Sequence, residues 1–164
     1  MNENYIVING KRLELTEEQL KQLGLGVRQN PFKRVATGDV YYTVNDYSEA
    51  VSYIENTNYT DQCLYEKVNY FNDEAFAKQV ALHQLLYRKL LKFVYDNEYE
   101  DTTEWDGSNL HWVIRYVKKR EVFDTYWQSA YKSQEVYFSS KDAAERAIKE
   151  VVEPFMREHL NFVW

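Results

Sequence analysis

The stretch that decides the fold is Val136-Tyr137-Phe138-Ser139-Ser140-Lys141-Asp142-Ala143-Ala144-Glu145-Arg146, because the chain spells a close version of it once before. The earlier copy is Asn69-Tyr70-Phe71-Asn72-Asp73-Glu74-Ala75-Phe76-Ala77-Lys78-Gln79. In both, a Tyr-Phe pair gives way to a short polar side chain and then to a helical pattern. Asn72 and Ser139 are expected as N-caps, since such side chains accept hydrogen bonds from the free N–H groups of a first helical turn. Phe71 and Phe138 occupy the staple position, and Asp73, Glu74 and Asp142 place negative charge at the positive helix end. After Asn72, an apolar stripe of Phe76, Val80, Tyr87, Leu90, Leu91 and Val94 reaches about Tyr95. After Ser139, Ala144, Ile148, Val151, Val152 and Phe155 repeat the pattern, and Pro154 is expected to bend or end the helix.

Strand patterns lie upstream of each phrase. The runs DVYYTV, AVSYI and LYEKV, separated by Asn45-Asp46 and by ENTN at residues 55–58, read as a meander. LHWVIRYV and EVFDTYW flank Lys118-Lys119-Arg120, and EVYF adds a further strand. The order strand, strand, strand, helix thus occurs twice. This predicts an α+β fold of two strand-rich, βββα-like units with antiparallel sheet. Two unrelated junctions obeying the same capping rules remain the alternative to a true repeat. At the N-terminus, YIVINGKRLEL is a hairpin signal around Asn9-Gly10. LTEEQLKQLG then starts a short helix, with Thr16 and Gln19 at capping-box spacing, Leu15 and Leu20 as the staple and Gly24 as its end. Expected boundaries are residues 1–36 for the hairpin and helix, 37–95 for the first unit, 96–107 for an acidic linker and 108–164 for the second unit, within one compact domain overall. Tyr41, Tyr47, Tyr53, Tyr59 and Tyr65 recur every six residues, an interval that reads equally as one shared face or as coincidence across turns.

Composition narrows the class. Hydrophobic residues form 45% of the 164, enough for a core, while no run approaches the about 18 apolar residues of a spanning helix. The N-terminus lacks a signal-peptide core, and a single cysteine, Cys63, fits a reducing compartment, so a cytoplasmic location is expected. Residues 39–106 hold fourteen acidic and five basic groups, whereas the flanking segments are slightly positive. The acidity belongs to the middle of the chain.

Catalytic motifs are missing from the sequence: it has no Gly-rich phosphate loop, no Gly-x-Ser-x-Gly and no His-Glu-x-x-His. His83, His111 and His159 have no partner at metal-ligand spacing, and no cofactor is expected. The most distinctive charged stretch is DNEYEDTTEWD, residues 96–106, with six carboxylates and no basic residue. It reads either as a solvated linker or as an acidic surface that meets a basic groove on a partner. In the second case Glu98, Tyr99, Glu100, Asp101, Glu104 and Trp105 are the partner-binding residues, with the two aromatics as anchors. Arg115, Lys118, Lys119 and Arg120 make the opposite feature, read as a solvated hairpin tip, so direct nucleic-acid binding is not expected.

VYFSSKDAAERAI, preceded by strand pairs and matched by NYFNDEAFAKQ, resembles small accessory proteins of phages and prophages of Gram-positive bacteria, as does the LTEEQLKQLG opening. The resemblance implies a mobile-element origin and a bacterial host cell. It also implies a non-catalytic protein that binds and blocks a host protein, anti-CRISPR inhibitors of an RNA-guided nuclease being one such class. It carries over no catalytic residues. Two other readings stay open: a metal-dependent hydrolase or nuclease using Glu98, Asp101 and Glu104, and a structural or regulatory phage protein.

Overall fold

A computed structural model describes residues 5–8, 10–22 and 30–164. The fold is α+β. Strands β1 (Tyr5–Ile8) and β2 (Lys11–Glu14) form the expected hairpin, paired from Tyr5 opposite Glu14 to Ile8 opposite Lys11. Gly10 sits at φ +74°, the left-handed region that its missing side chain makes accessible. Asn9 lies outside the described residues. Helix α1 (Glu17–Gln22) starts with the capping box read from the sequence: Gln19 N–H donates to Thr16 Oγ1 at 3.2 Å, and Thr16 N–H donates to Gln19 Oε1 at 2.9 Å. The expected stop at Gly24 lies outside the described residues.

The first unit opens with hairpin β3 (Val40–Val44) and β4 (Ala50–Ile54), in register with Tyr42 opposite Ser52. The third strand expected from LYEKV does not form. Its residues belong instead to helix α2 (Tyr59–Glu66) and the turn that ends it. ENTN is therefore a helix start rather than a strand break. Asn58 accepts from Asp61 N–H at 3.0 Å, and Asp61 Oδ2 accepts from Asn58 N–H at 3.1 Å, a reciprocal cap. The helix ends as Asn69 N–H donates back to Leu64 O at 3.0 Å with Val68 at φ 56°. The tyrosine recurrence consequently has no common face: Tyr41 is fully buried, whereas Tyr47 and Tyr59 are 83% and 84% exposed.

What remains of each third strand is a single rung. Phe71 pairs with Tyr42 and Phe138 pairs with Trp112, each through two antiparallel backbone hydrogen bonds. One residue then turns the corner, and the next caps the helix. The caps are Asp73, accepting from Phe76 N–H at 2.8 Å, and Ser140, accepting from Ala143 N–H at 3.1 Å. The expected caps Asn72 and Ser139 are thus displaced by one residue. The reason is that each preceding Phe is held in the sheet, which leaves its neighbour as the bend. Both bend residues bond the segment that enters their unit: Asn72 N–H donates to Pro31 O at 2.8 Å, and Ser139 N–H donates to Tyr99 O at 2.9 Å. The repeated phrase thus marks the same construction twice, down to the offset from Phe to cap.

Helix α3 (Glu74–Asp96) joins the two halves. Its first half buries Ala77 and Ala81, small enough to let the helix lie close to β3 and β4. Its second half buries Leu86, Leu90, Phe93 and Val94 in the main core, together with Ile114, Phe138, Ile148 and Phe155. Of the expected stripe, Tyr87 and Leu91 face outward, at 46% and 36% exposed. The second hairpin, β5 (His111–Val117) and β6 (Val122–Gln128), aligns Trp112 with Trp127. The chain closes with α4 (Lys141–Ala147), a widened π turn (Ile148–Val152) and α5 (Glu153–Glu158). Pro154 lies within the run without ending it. Proline supplies no N–H to the ladder, and the wider turn just before it accommodates that gap.

Candidate functional site

The acidic segment is tied into the second unit from its first residues. Helix α3 ends with Glu98 at φ 56° and Tyr99 N–H donating to Val94 O at 2.9 Å, which reverses the chain. Tyr99 is half-buried, packs its ring 5.8 Å from Phe93, and takes a hydrogen bond on its hydroxyl from Arg146. Glu100 pairs through its backbone with Phe138. Residues 96–107, expected as a linker, instead lie beside the rung of the second unit.

The segment then folds over the start of β5. Asp101, its side chain 4% exposed, meets His111 Nδ1 at 2.5 Å and accepts from Thr103 Oγ1 at 2.7 Å and Thr103 N–H at 3.1 Å. Burial alone would raise the Asp101 carboxyl, but the bonds from Thr103 and His111 outweigh it and hold the group below its ordinary value. Trp105 lies flat on the His111 ring at 3.6 Å and 5°, and Tyr137 meets Trp105 edge-on at 4.9 Å. The Tyr137 hydroxyl accepts from Ser133 N–H at 2.8 Å, so the loop after β6 closes the same cluster. His111 Nε2 is buried and has no hydrogen-bond partner among the described residues. Asp106 accepts from Ser108 N–H at 2.9 Å and Ser108 Oγ at 2.7 Å and so shapes the turn into β5.

Six residues were expected to face a partner, and the structure divides them. Asp101 is interior, which corrects its reading as an outward carboxylate: a strand histidine ten residues on captures it. Tyr99 and Trp105 are half-buried and bonded internally, so neither is an open anchor. Glu98, Glu100 and Glu104 are exposed. Tyr95, which sequence reading left out, is 58% exposed, and its hydroxyl is raised by a hydrogen bond to Glu100. The Asp101–His111 contact has no sequence signature, since the partners join a loop to a strand. Among the described residues no three His, Cys, Asp or Glu side chains come together as a metal-binding group, so Glu98, Asp101 and Glu104 do not converge.

A second polar cluster lies in the first unit. The Glu55 side chain, 1% exposed, accepts from Arg34 Nε and Nη2 at 3.0 Å each, from the Tyr70 hydroxyl at 2.7 Å and from Thr57 N–H at 2.8 Å. Asp61 accepts from the Tyr41 hydroxyl and Asn56 N–H, both at 2.8 Å. The Tyr41 and Tyr70 rings stack at 4.0 Å. The Arg34 guanidinium keeps Glu55 below the usual carboxylate range, while burial and the bond to Glu55 push Tyr70 up to about 12. Every carboxylate oxygen here has a donor. The cluster therefore works as a pin holding residues 34–35 to β3 and α2.

A cleft of about 350 Å³ opens between α3, β5 and residues 134–138, with Leu86, Leu90, Val113 and Phe138 in its lining and Tyr87 and Trp164 at its sides. No described helix is long and apolar enough to cross a membrane. Comparison with protein-family models, with curated proteins and with solved structures returns no match.

Proposed function

We propose that this chain is a non-catalytic binding protein that meets a basic surface on a bacterial partner through Glu98, Glu100 and Glu104. The observation that supports this reading is how those carboxylates are mounted. They project from a loop whose backbone is fastened by the α3 terminus, the Phe138 rung and the Asp101–His111–Trp105 cluster. A fixed loop gives up little conformational freedom on binding, and clustered negative charge speeds encounter with a positive partner. Proteins that handle nucleic acid expose such positive surfaces to hold phosphates. A counter-defence inhibitor of the anti-CRISPR kind, acting on an RNA-guided nuclease or a related host protein, is the finer form of the proposal.

The test begins with capture of partners from a bacterial lysate on the immobilised chain, followed by association kinetics with the purified partner. The variant Glu98→Gln/Glu100→Gln/Glu104→Gln leaves the interior Asp101 untouched. It is expected to bind more slowly at low salt and to lose most of that difference at high salt, because screening shortens the reach of charge to about 8–10 Å. Kinetics identical to the parent chain at both salt concentrations would reject the proposal.

A further inference from the structure

Among the described residues the outer edge of β4 is unpaired, and its central N–H is free where that of the counterpart β6 is not. Asn45 N–H donates to Glu49 O and Glu55 N–H donates to Asp39 O, both at 2.9 Å, so odd-numbered residues bond across the first hairpin. Alternation then points the N–H and C=O groups of Ala50, Ser52 and Ile54 away from β3. Ile54 O accepts from Asn56 Nδ2 at 2.9 Å, and among the described residues nothing bonds the backbone of Ser52, which is exposed. In the second hairpin Trp112 bonds Phe138, so Phe123, Thr125 and Trp127 point outward from β6. There the central N–H, that of Thr125, is taken by Asp124 Oδ1 at 2.9 Å. A charged side chain that occupies an edge donor is a known guard against strand addition. β4, with the sequence Ala-Val-Ser-Tyr-Ile, has no charge and no proline.

We propose that β4 pairs antiparallel with β4 of a second copy of this chain, about a two-fold axis at Ser52. The strand is self-complementary in that register. Ser52 exchanges both backbone bonds with its copy, and Ile54 N–H donates to Ala50 O across the axis. The result is a continuous four-stranded sheet in which each β4 lies inside. On one face the exposed Val40–Ile54 pair, at 48% and 55%, is extended by Ala50 of the other copy. On the other face Val51 falls opposite Tyr53, an aromatic and β-branched pairing of the kind that stabilises sheets. The chain bears a net charge of −6, and this register sets no like charges opposite each other within the strand; just beyond it Glu49 falls opposite Glu55, whose carboxylate is held by Arg34. A two-fold contact of one strand with itself closes at a dimer.

The mass in solution tests this, measured by light scattering on the full chain from low-micromolar to several-hundred-micromolar concentration. The expected result is a concentration-dependent species of twice the 19.7 kDa chain mass. Ser52→Lys places two ammonium groups at the axis and is expected to weaken dimerisation at least about tenfold, while the circular dichroism melt of the monomer stays unchanged. In a Cys63→Ser background, Ser52→Cys is expected to form an intermolecular disulfide in oxidised glutathione faster than Tyr131→Cys, whose position is 82% exposed but off the edge. A chain that stays monomeric throughout the series overturns the proposal. So does a dimer that Ser52→Lys leaves intact, or cross-linking no faster at residue 52 than at residue 131.

Discussion

Replacing Leu90 by alanine tests the orientation of α3, the element both halves share. Leu90 is 7% exposed within the main core, and its neighbour Leu91 is 36% exposed on the outer side. Truncation removes three carbons, worth about 0.8 kcal/mol each in lost burial, or about 2.4 kcal/mol. A sealed void would add a cavity cost, but Leu90 also lines the cleft between α3 and β5, so part of the new space opens to water. The expected loss is therefore about 2–3 kcal/mol, the lower part of the usual range for Leu→Ala. Leu91→Ala is expected to cost less, about 1–1.5 kcal/mol, since Leu91 is already 36% exposed and alanine is the slightly better helix former. Urea unfolding followed by circular dichroism measures both, and unchanged m-values would license the comparison. Equal costs, or a larger cost at Leu91, would refute the assigned face.

Three further outcomes follow from the polar clusters and the backbone. Glu55 is held low by Arg34, so its contribution is full above its unfolded value of about 4.3 and disappears as pH falls through the lower folded value. Glu55→Gln is accordingly expected to be less stable at pH 7 yet to show a shallower acid loss below about pH 4, read from unfolding midpoints across a pH series. Trp105→Ala removes the ring stacked on His111 and is expected to cost about 1–3 kcal/mol, less than a fully buried aromatic because Trp105 is half-buried. Loss of hydrogen-exchange protection confined to residues 99–111 would locate the effect. Val68 sits at φ 56° with its side chain 59% exposed, an unfavourable conformation for a β-branched residue. Val68→Gly is expected to be neutral or to stabilise by up to about 1 kcal/mol in thermal unfolding, whereas glycine at an ordinary strand or helix position destabilises.

Local chemistry settled a large part of this molecule before any packing was known. The β1–β2 turn, the Thr16–Gln19 cap, the two hairpins and both phrase-to-helix junctions rest on contacts within a few residues, and so they are legible in the chain itself. Two errors have different origins, one local and one distant. LYEKV has strand-like composition, but the Asn58–Asp61 cap upstream commits it to α2. Asn72 and Ser139 look like caps, but Phe71 and Phe138 are held in sheets by residues 26 to 29 positions away. Which leucine of α3 faces inward was decided by where the second unit lies, a matter of distant contacts that the periodic stripe leaves open by one position. The acidic run shows the division most plainly. Its charge and its place between two units are properties of sequence. Asp101 became interior and Glu98, Glu100 and Glu104 exterior only when β5 brought His111 beneath the loop, because a buried carboxylate needs donors and a strand from elsewhere in the chain supplied one.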